Sequence, residues 1–418
     1  MGGGLLQLVA YGAQDVYLTG NPQITFFKVA YRRHTNFALE AIEQTFNGNP
    51  TYGSRVTCQI SRNGDLINRM YLQVKVPAGT GTTYVNYYGI RLLNYVEIEI
   101  GGQKIDKHYS HWLYVWNELS LPKSKRNGYS EMVGGLGGAS VAGKTLYIPL
   151  EFWFCRNIGL ALPLIALQYH EVKVNINFES ATKCGAGSGI SFNASLWVDY
   201  IYLDTDERRR FAQLSHEYLI EQLQFTGQEA IASTSVKTKL NFNHPCKELV
   251  WFIAKDSDTN VNNWFNYTTK SDVVATNALL ATNAALNENL MQSDINYIAA
   301  AASAPSNPVK TAKLVLNGND RFYDRPGRYF NLIQPYQHHE NIPSNAGINV
   351  YSFSLKPEEH QPSGTLNMSR IDTAVLNLTF EAAIADNYNP TEYTLFVYAV
   401  NYNVLRILSG MGGLAYSN

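Results

Sequence analysis

Residues 171–178 read Glu171-Val172-Lys173-Val174-Asn175-Ile176-Asn177-Phe178, with polar and apolar side chains in strict alternation. Successive side chains of an extended chain point to opposite faces, so the four apolar residues would line one face. One buried and one polar face is typical of a strand in an antiparallel sheet. The run therefore predicts a β-strand that covers a hydrophobic core.

The same kind of run occurs twice in the chain, and two further sequence patterns are repeated together with it. Residues 174–178 recur in form at 376–380, residues 96–103 at 312–319, and residues 197–200 at 395–398. The three pairs keep one order, and each pair is separated by close to half of the 418-residue chain. We infer two copies of one all-β domain, and the many short strands with Gly- and Pro-rich turns predict a sandwich or jelly roll.

Other segments support an all-β fold with few helices. Residues 69–76, 95–100 and 195–203 carry further strand patterns. Helical periodicity is best at 108–121 and 277–296, which we interpret as short helices in insertions between strands. The length of the chain also favours two domains, because one hydrophobic core rarely serves so many residues.

The composition favours self-association. Hydrophobic residues make up 45% of the chain and charged residues only 16%, against about 25% in a typical globular protein. The 28 tyrosines suit strands and interfaces, because the ring packs while the hydroxyl stays wet. A formal charge of −1 argues against general binding to nucleic acid, which normally needs a basic face.

No targeting or spanning segment is expected. The start of the chain lacks the charged and apolar regions of a signal peptide, and Leu6 stands where a myristoylation motif needs Ser or Thr. No run of about 18 apolar residues predicts a membrane helix. The four cysteines form no Cys-x-x-Cys pair and are expected as free thiols.

One motif matches a phosphate-binding loop. Residues 138–145 fit the pattern G-x-x-x-x-G-K-[ST], with Lys144 and Thr145 at its end. That site needs a helix after the loop, because the helix N-terminus supplies N–H groups to the phosphates. Here residues 146–150 read as a strand and contain Pro149, so we expect a plain surface loop and no nucleotide cofactor.

No catalytic, cofactor-binding or metal-binding residue is assigned. His108 and His111, and the run His338-His339-Glu340, lack the spacing of known metal motifs and are expected at surfaces or interfaces. Glu97 and Glu99 share one strand face, which we expect to be the solvent face. The chain is therefore not expected to be an enzyme.

A long biased segment interrupts the second copy. Residues 256–308 are rich in Asn, Ala, Ser and Thr, and we interpret them as a surface insertion. Of the four Asn-x-Ser/Thr sequons, the one at Asn266 lies in this insertion and is expected to be the most accessible to a glycan.

Several blocks of the chain carry a family resemblance. Residues 12–28, GAQDVYLTGNPQITFFK, and 31–37, YRRHTNF, resemble the N-terminal signature of major capsid proteins of nucleocytoplasmic large DNA viruses. Residues 159–172, 216–227 and 401–407 resemble the algal-virus branch of that family, which includes phycodnaviruses such as the chlorella viruses. The likeness extends over nearly the whole chain and is weakest around 256–308.

The resemblance implies a late structural protein of an icosahedral virion. It implies two consecutive eight-stranded jelly rolls and a homotrimer that forms a pseudo-hexagonal capsomer. The implied partners are other capsomers, minor capsid proteins beneath the shell and glycans, with no sequence-specific nucleic acid and no membrane span. Synthesis and assembly are expected in the host cytoplasm. The expected divisions are an arm at 1–26, jelly rolls at 27–215 and 216–400, and a tail at 401–418.

A carbohydrate-binding jelly roll is the alternative function. Paired Trp platforms or a calcium-type cluster of Asp residues would favour it, and Asp256 and Asp258 alone are too few for a calcium site.

Overall fold

The structure is a computed structural model that describes residues 3–78, 83–135, 141–187, 189–255, 264–269, 306–382 and 389–416. The chain divides into two compact units, Met1–Phe37 and Ala38–Asn418. The smaller unit holds helices α1 (Gly3–Val9) and α2 (Val16–Thr19), and its described residues are almost all exposed. The arm expected at 1–26 is therefore longer, because the first strand begins only at Phe37.

The first half of the larger unit builds one jelly roll. Its strands are β1 (Phe37–Gln44), β2 (Arg55–Gln59), β3 (Leu66–Lys75), β4 (Leu93–Ile100), β5 (Gln103–Tyr109), β6 (Thr145–Pro149), β7 (Leu162–Pro163), β8 (Val172–Phe178) and β9 (Asn193–Leu203). They form one sheet in the order β1-β9-β3-β6, with β7 paired to β3, and a second in the order β2-β8-β4-β5.

The second half repeats this topology. Its strands are β10 (His216–Phe225), β11 (Glu229–Ala230), β12 (Ser235–Lys239), β13 (Pro245–Ala254), β14 (Val309–Leu316), β15 (Asn319–Pro326), β16 (Asn349–Ser352), β17 (Leu366–Asn367), β18 (Ala374–Phe380), β19 (Thr394–Leu408) and β20 (Met411–Leu414). The sheets run β10-β19-β13-β16 and β12-β18-β14-β15. Every main strand of the first half thus has a counterpart, and the predicted double jelly roll is confirmed.

The register repeats as well as the strand order. Val174 on β8 lies between Cys58 on β2 and Ile98 on β4, and Leu376 on β18 lies between Thr238 and Leu314. Val174 and Leu376 are both fully buried, as the alternating pattern predicts.

Helices occupy the connections between strands. They are α3 (Tyr88–Leu92), α4 (Ser110–Ser120), α5 (Lys123–Val133), α6 (Trp153–Arg156), α7 (Thr205–Gln213) and α8 (Gln334–His338). Helix α4 agrees with the one predicted at 108–121, except that His108 and Tyr109 belong to β5. The helix predicted at 277–296 lies outside the described residues. In the described part of the chain, no helix has both the length and the apolar character that crossing a bilayer requires.

The C-terminal residues belong to the second jelly roll. Strand β19 continues through the expected boundary at 400 to Leu408, and it pairs with β10 over its second half. Leu405 and Ile407 are buried in the core. The separate tail expected at 401–418 was therefore wrong.

Candidate functional site

The two jelly rolls of one chain meet along a buried seam. Strand β13 is buried on both faces, so Trp251 faces the interior of the second jelly roll while Phe252 joins the core of the first. Phe396 and Tyr398 on β19 join the same core from the second jelly roll. The hydrophobic interior of the first jelly roll thus continues into the second.

His111 lies at the centre of this seam. Its ring stacks on Trp264 at 4.4 Å between ring centres, and its Nδ1 lies 2.8 Å from the Tyr267 hydroxyl. Burial, aided by the charge of Arg91, holds the pKa of His111 well below 6.5. The ring is therefore neutral at physiological pH and acts as part of an aromatic cluster.

Two further histidines that were considered from the sequence as possible metal ligands, His108 and His339, are also buried. The His108 ring lies 2.9 Å from an Asp106 oxygen, and His339 lies between Glu248 at 3.0 Å and Glu358 at 2.8 Å. All three histidines are buried, so the surface alternative was wrong for His108, His111 and His339, although His111 does lie at an interface between the two jelly rolls. His338 is half-buried and bonds the Leu355 carbonyl through Nδ1. The described residues contain no group of three or more side chains placed to hold a metal ion.

Residues 264–269 pack inside the protein, so the insertion predicted at 256–308 does not lie wholly on the surface. Phe265 and Tyr267 are buried against the seam, and the Asn345 side chain donates a hydrogen bond to the Phe265 carbonyl. A Cβ on Gly347 would lie 1.7 Å from the Tyr267 carbonyl oxygen, so the chain passes too closely there for any side chain. Most of the remaining insertion lies outside the described residues.

Asn266 shares this buried position. It is 9% exposed, and its side-chain oxygen accepts hydrogen bonds from the Thr268 amide and hydroxyl. The expectation that Asn266 is the most accessible sequon was therefore wrong, because its segment packs into the seam. Asn193 and Asn367 of the other sequons are exposed.

A buried ionic cluster also crosses the seam. Glu221 on β10 contacts Arg156 of the first jelly roll at 3.1 Å and Lys247 on β13 at 2.7 Å. Burial alone would raise the pKa of Glu221, but Arg156, His360 and Lys247 outweigh it and lower the pKa to about 2. The Glu221 carboxylate is therefore ionised at neutral pH, and its ion pair with Arg156 links the two jelly rolls.

The phosphate-loop pattern and the carboxylate of Glu97 both have structural positions rather than sites for a reaction. Lys144 is exposed, and Thr145 begins strand β6, so no helix N-terminus follows the phosphate-loop pattern. Residues 138–140 of that pattern lie outside the described residues.

Glu97 was expected on a solvent face but is buried, because Arg55 at 2.6 Å and Asn175 at 3.2 Å cover its carboxylate.

Equivalent edge strands differ in exposure between the two jelly rolls. Within the chain, β5 of the first jelly roll packs against β10 of the second: the Leu223 amide donates to Asp106 at 3.0 Å, and Tyr109 meets Phe225 at 5.0 Å. The counterparts β15 and β1 are exposed over most of their length, with Tyr323 at 73% and Leu39 at 56%. The chain therefore carries two uncovered surfaces that match its own internal contact.

The sequence pattern indicates only part of the seam between the two jelly rolls. Residues 249–254 are apolar without a break, which is typical of a strand buried on both faces. That run could have indicated a second packing partner for β13. Nothing in the sequence pattern identifies the contact of residues 264–269 with His111.

Comparisons with known proteins cover nearly the whole chain. The family model "Major capsid protein N-terminus" matches residues 25–204, and "Large eukaryotic DNA virus major capsid protein" matches residues 207–413. The chain is 54% identical to the major capsid protein of Pyramimonas orientalis virus and 46% identical to that of Paramecium bursaria Chlorella virus 1, with 100% of each chain covered.

Solved structures agree with the observed architecture. VP54 of PBCV-1, a crystal structure fitted into a cryo-EM reconstruction of the virophage Sputnik, matches with a TM-score of 0.80 and 41% identity. That match covers 94% of this chain and 100% of VP54. The Faustovirus major capsid protein matches with a TM-score of 0.71 at 13% identity, over 95% of this chain and 94% of that one, which supports the fold alone.

Proposed function

The chain belongs to the major capsid protein family of large eukaryotic DNA viruses, with relatives in viruses of the algal branch, and we propose that three copies close into one capsomer. It is a structural component of the virion capsid, as the resemblance predicted. In the proposed capsomer, the six jelly rolls of three chains form a pseudo-hexagonal outline that tiles an icosahedral shell.

The exposed edges β1 and β15 carry this proposal. Within a chain, β5 and β10 are partly or fully covered because the two jelly rolls pack there. Strands β15 and β1 occupy the same places in the other jelly roll, and they lack a cover within the described residues. A second copy that brings its β1 to β15 would repeat the internal contact between chains.

Such a contact joins two different surfaces, so it forms a closed ring or an open filament. In a closed ring of three, three internal seams would alternate with three seams between chains. The family resemblance supports the same stoichiometry. The exposed side chains Leu39 and Tyr323 supply apolar area for the contact.

The finer aspects of the proposal rest on family membership. We infer contacts between capsomers, minor capsid proteins beneath the shell, and assembly in the host cytoplasm. A purely structural role without catalysis is supported by relatives that are named as major capsid proteins. The near-neutral charge supports a shell without the basic face that binding to nucleic acid normally needs.

Light scattering after size exclusion tests the trimer. The 418-residue chain should elute with three times its mass of 46.8 kDa at micromolar concentration. Replacing Tyr323→Glu or Leu39→Glu should shift the protein toward monomer, because a carboxylate at the centre of an apolar contact must lose its hydration.

Lys237→Glu is the matched control. It adds a carboxylate at an exposed position on β12, away from the proposed contact, and should leave the mass unchanged. A stable monomer of the unaltered protein would contradict the trimer. Trimers that persist in both edge variants would contradict the assignment of β1 and β15.

A further inference from the structure

A pocket of about 270 Å³ opens between the two jelly rolls. One wall comes from β5 of the first jelly roll, with Lys104 and Lys107. The opposite wall comes from β10 and the turn before β13, with Phe225 and His244. Tyr416, after β20, closes one side. This pocket is not part of the edges that we propose for the capsomer.

Two lysines line the pocket, and across the β4–β5 register Glu99 lies opposite Lys104 and Glu97 lies opposite Lys107. No carboxylate lies within ion-pair distance of the Lys104 or Lys107 ammonium among the described residues. The Lys107 ammonium instead lies 3.7 Å from the centre of the Tyr95 ring and 5.1 Å from that of Tyr109. Glu97, the nearest opposite charge to act on Lys107, is already paired with Arg55.

The one carboxylate in the lining is fully engaged. Asp106 is 3% exposed, and one of its oxygens accepts from the amides of Lys107 at 2.9 Å and Leu223 at 3.0 Å. Its other oxygen lies 2.9 Å from the His108 ring. Asp106 therefore forms no ion pair with Lys104 or Lys107, and the lining holds two lysines against this one carboxylate.

The walls are held in place before any ligand arrives. The Gln224 side chain exchanges hydrogen bonds with the backbone of Asn243, at 2.6 and 2.9 Å. The Asn403 side chain donates to Gln222 at 2.9 Å and to the Tyr416 carbonyl at 2.9 Å. Because these hydrogen bonds already fix Gln224 and Asn403, binding would cost little further ordering of those two side chains.

We propose that this pocket binds a sugar-sized organic anion, with the ammonium groups of Lys104 and Lys107 on its oxyanion. The volume exceeds that of a single water or inorganic anion, and Tyr109 and Phe225, which pack edge to face against each other, add apolar atoms to the lining. Thr226, Asn241 and Asn243 add hydrogen-bonding groups at the exposed rim, which suits hydroxyls. The oxyanion is a phosphate or a carboxylate.

Isothermal titration of the full-length protein tests the pocket. The probes are glucose 6-phosphate, glucuronate, neutral glucose and inorganic phosphate. We expect saturable binding of at least one sugar anion, with one site per chain and glucose at least about tenfold weaker, a difference of about 1.4 kcal/mol. Lys104→Gln and Lys107→Gln should each weaken that binding by about tenfold or more.

Lys237→Gln removes an exposed lysine from β12 and should leave the affinity unchanged. Lys104 is itself exposed, so Lys104→Gln tests the pocket even if the half-buried Lys107 proves necessary for folding. The proposal is overturned if neither sugar anion binds, if both lysine variants bind as tightly as the unaltered protein, or if glucose binds equally well. Inorganic phosphate that binds as tightly as glucose 6-phosphate would overturn the sugar-sized ligand.

Discussion

His339 lies fully buried between two carboxylates, a position that the pair His338-His339 does not reveal. Its Nε2 contacts Glu248 and its Nδ1 contacts Glu358. Burial by itself lowers the pKa of His339, but the two carboxylates outweigh burial and raise the pKa to about 9. The protonated ring therefore compensates the fully buried Glu248 at neutral pH.

The free energy of unfolding should fall as pH rises from about 6.5 to about 9. Below pH 6.5 the folded and unfolded states are both protonated, so the stabilisation by His339 is fully present. Above it the unfolded chain loses its proton first, and the stabilisation is lost as the folded ring titrates. Urea unfolding at several pH values measures this decline.

His339→Gln is the control for that decline. The variant should be less stable at pH 6.5, because Glu248 keeps its burial without a positive partner. It should also lack the fall in stability between pH 6.5 and 9. An unchanged slope in His339→Gln would show that another group causes it.

At the ionic cluster of the seam, we expect a second substitution to restore the stability that a first one removes. Glu221→Gln should cost about 3–5 kcal/mol of stability, because it leaves the buried Lys247 ammonium without its carboxylate. Adding Lys247→Met should restore most of that loss, since the buried charge is then gone. Denaturant unfolding of the single and double variants measures both effects, and a double variant as unstable as Glu221→Gln contradicts this account.

At the scale of elements, the insertion after β13 joins two ends that lie side by side. The Thr269 amide donates to the Ser306 carbonyl at 3.1 Å, and the two hydroxyls lie 2.8 Å apart. A few residues can therefore bridge Thr269 and Ser306. Because the cost of loop closure depends only weakly on loop length, we expect a short linker to serve the fold as well as the long native connection.

Replacing residues 270–305 with a short Gly-Ser linker should leave a soluble protein of unchanged stability and β-rich circular dichroism. Extending the replacement back to residue 264 should destabilise the protein strongly, because Phe265 and Tyr267 are removed from the seam. Leu376→Asp, which places a carboxylate in the second core, is the reference for loss of folding. Equal stability of the two replacements would contradict the packing of residues 264–269.

At the scale of the whole molecule, one core extends from the first jelly roll into the sheet of the second. Phe252 stacks on Tyr267 at 4.1 Å and on Phe396 at 5.2 Å between ring centres. The two jelly rolls therefore share apolar contacts that neither could satisfy alone. We expect them to unfold together despite their separate barrel interiors.

Phe252→Ala should lower stability by about 3–5 kcal/mol and shift a single unfolding transition in calorimetry. Lys237→Ala, at an exposed position, should change stability by less than about 0.5 kcal/mol. A scan of the unaltered protein that resolves two transitions, with only one of them shifted in Phe252→Ala, would contradict cooperative unfolding.

The sequence by itself determined the architecture of the barrels. Alternation at residues 171–178 and 376–380 identified β8 and β18, and the repeated order of three patterns identified two copies of one topology. These features are local, because a strand with one buried face leaves a period of two in the chain. The absence of a helix after Lys144 was predictable for the same reason, since the strand pattern and Pro149 are adjacent to it.

The tertiary structure alone decided where the polar groups and the insertion lie. His111, His339, Glu221 and Lys247 have polar side chains that a pattern assigns to the surface, yet partners distant in the chain bury them. Asn266 has a sequon that suggests exposure, but its neighbours pack against His111, which lies 156 positions before Tyr267. Burial of a charge or an amide depends on whether a partner compensates its lost hydration, and that partner is chosen by the fold rather than by neighbours in sequence.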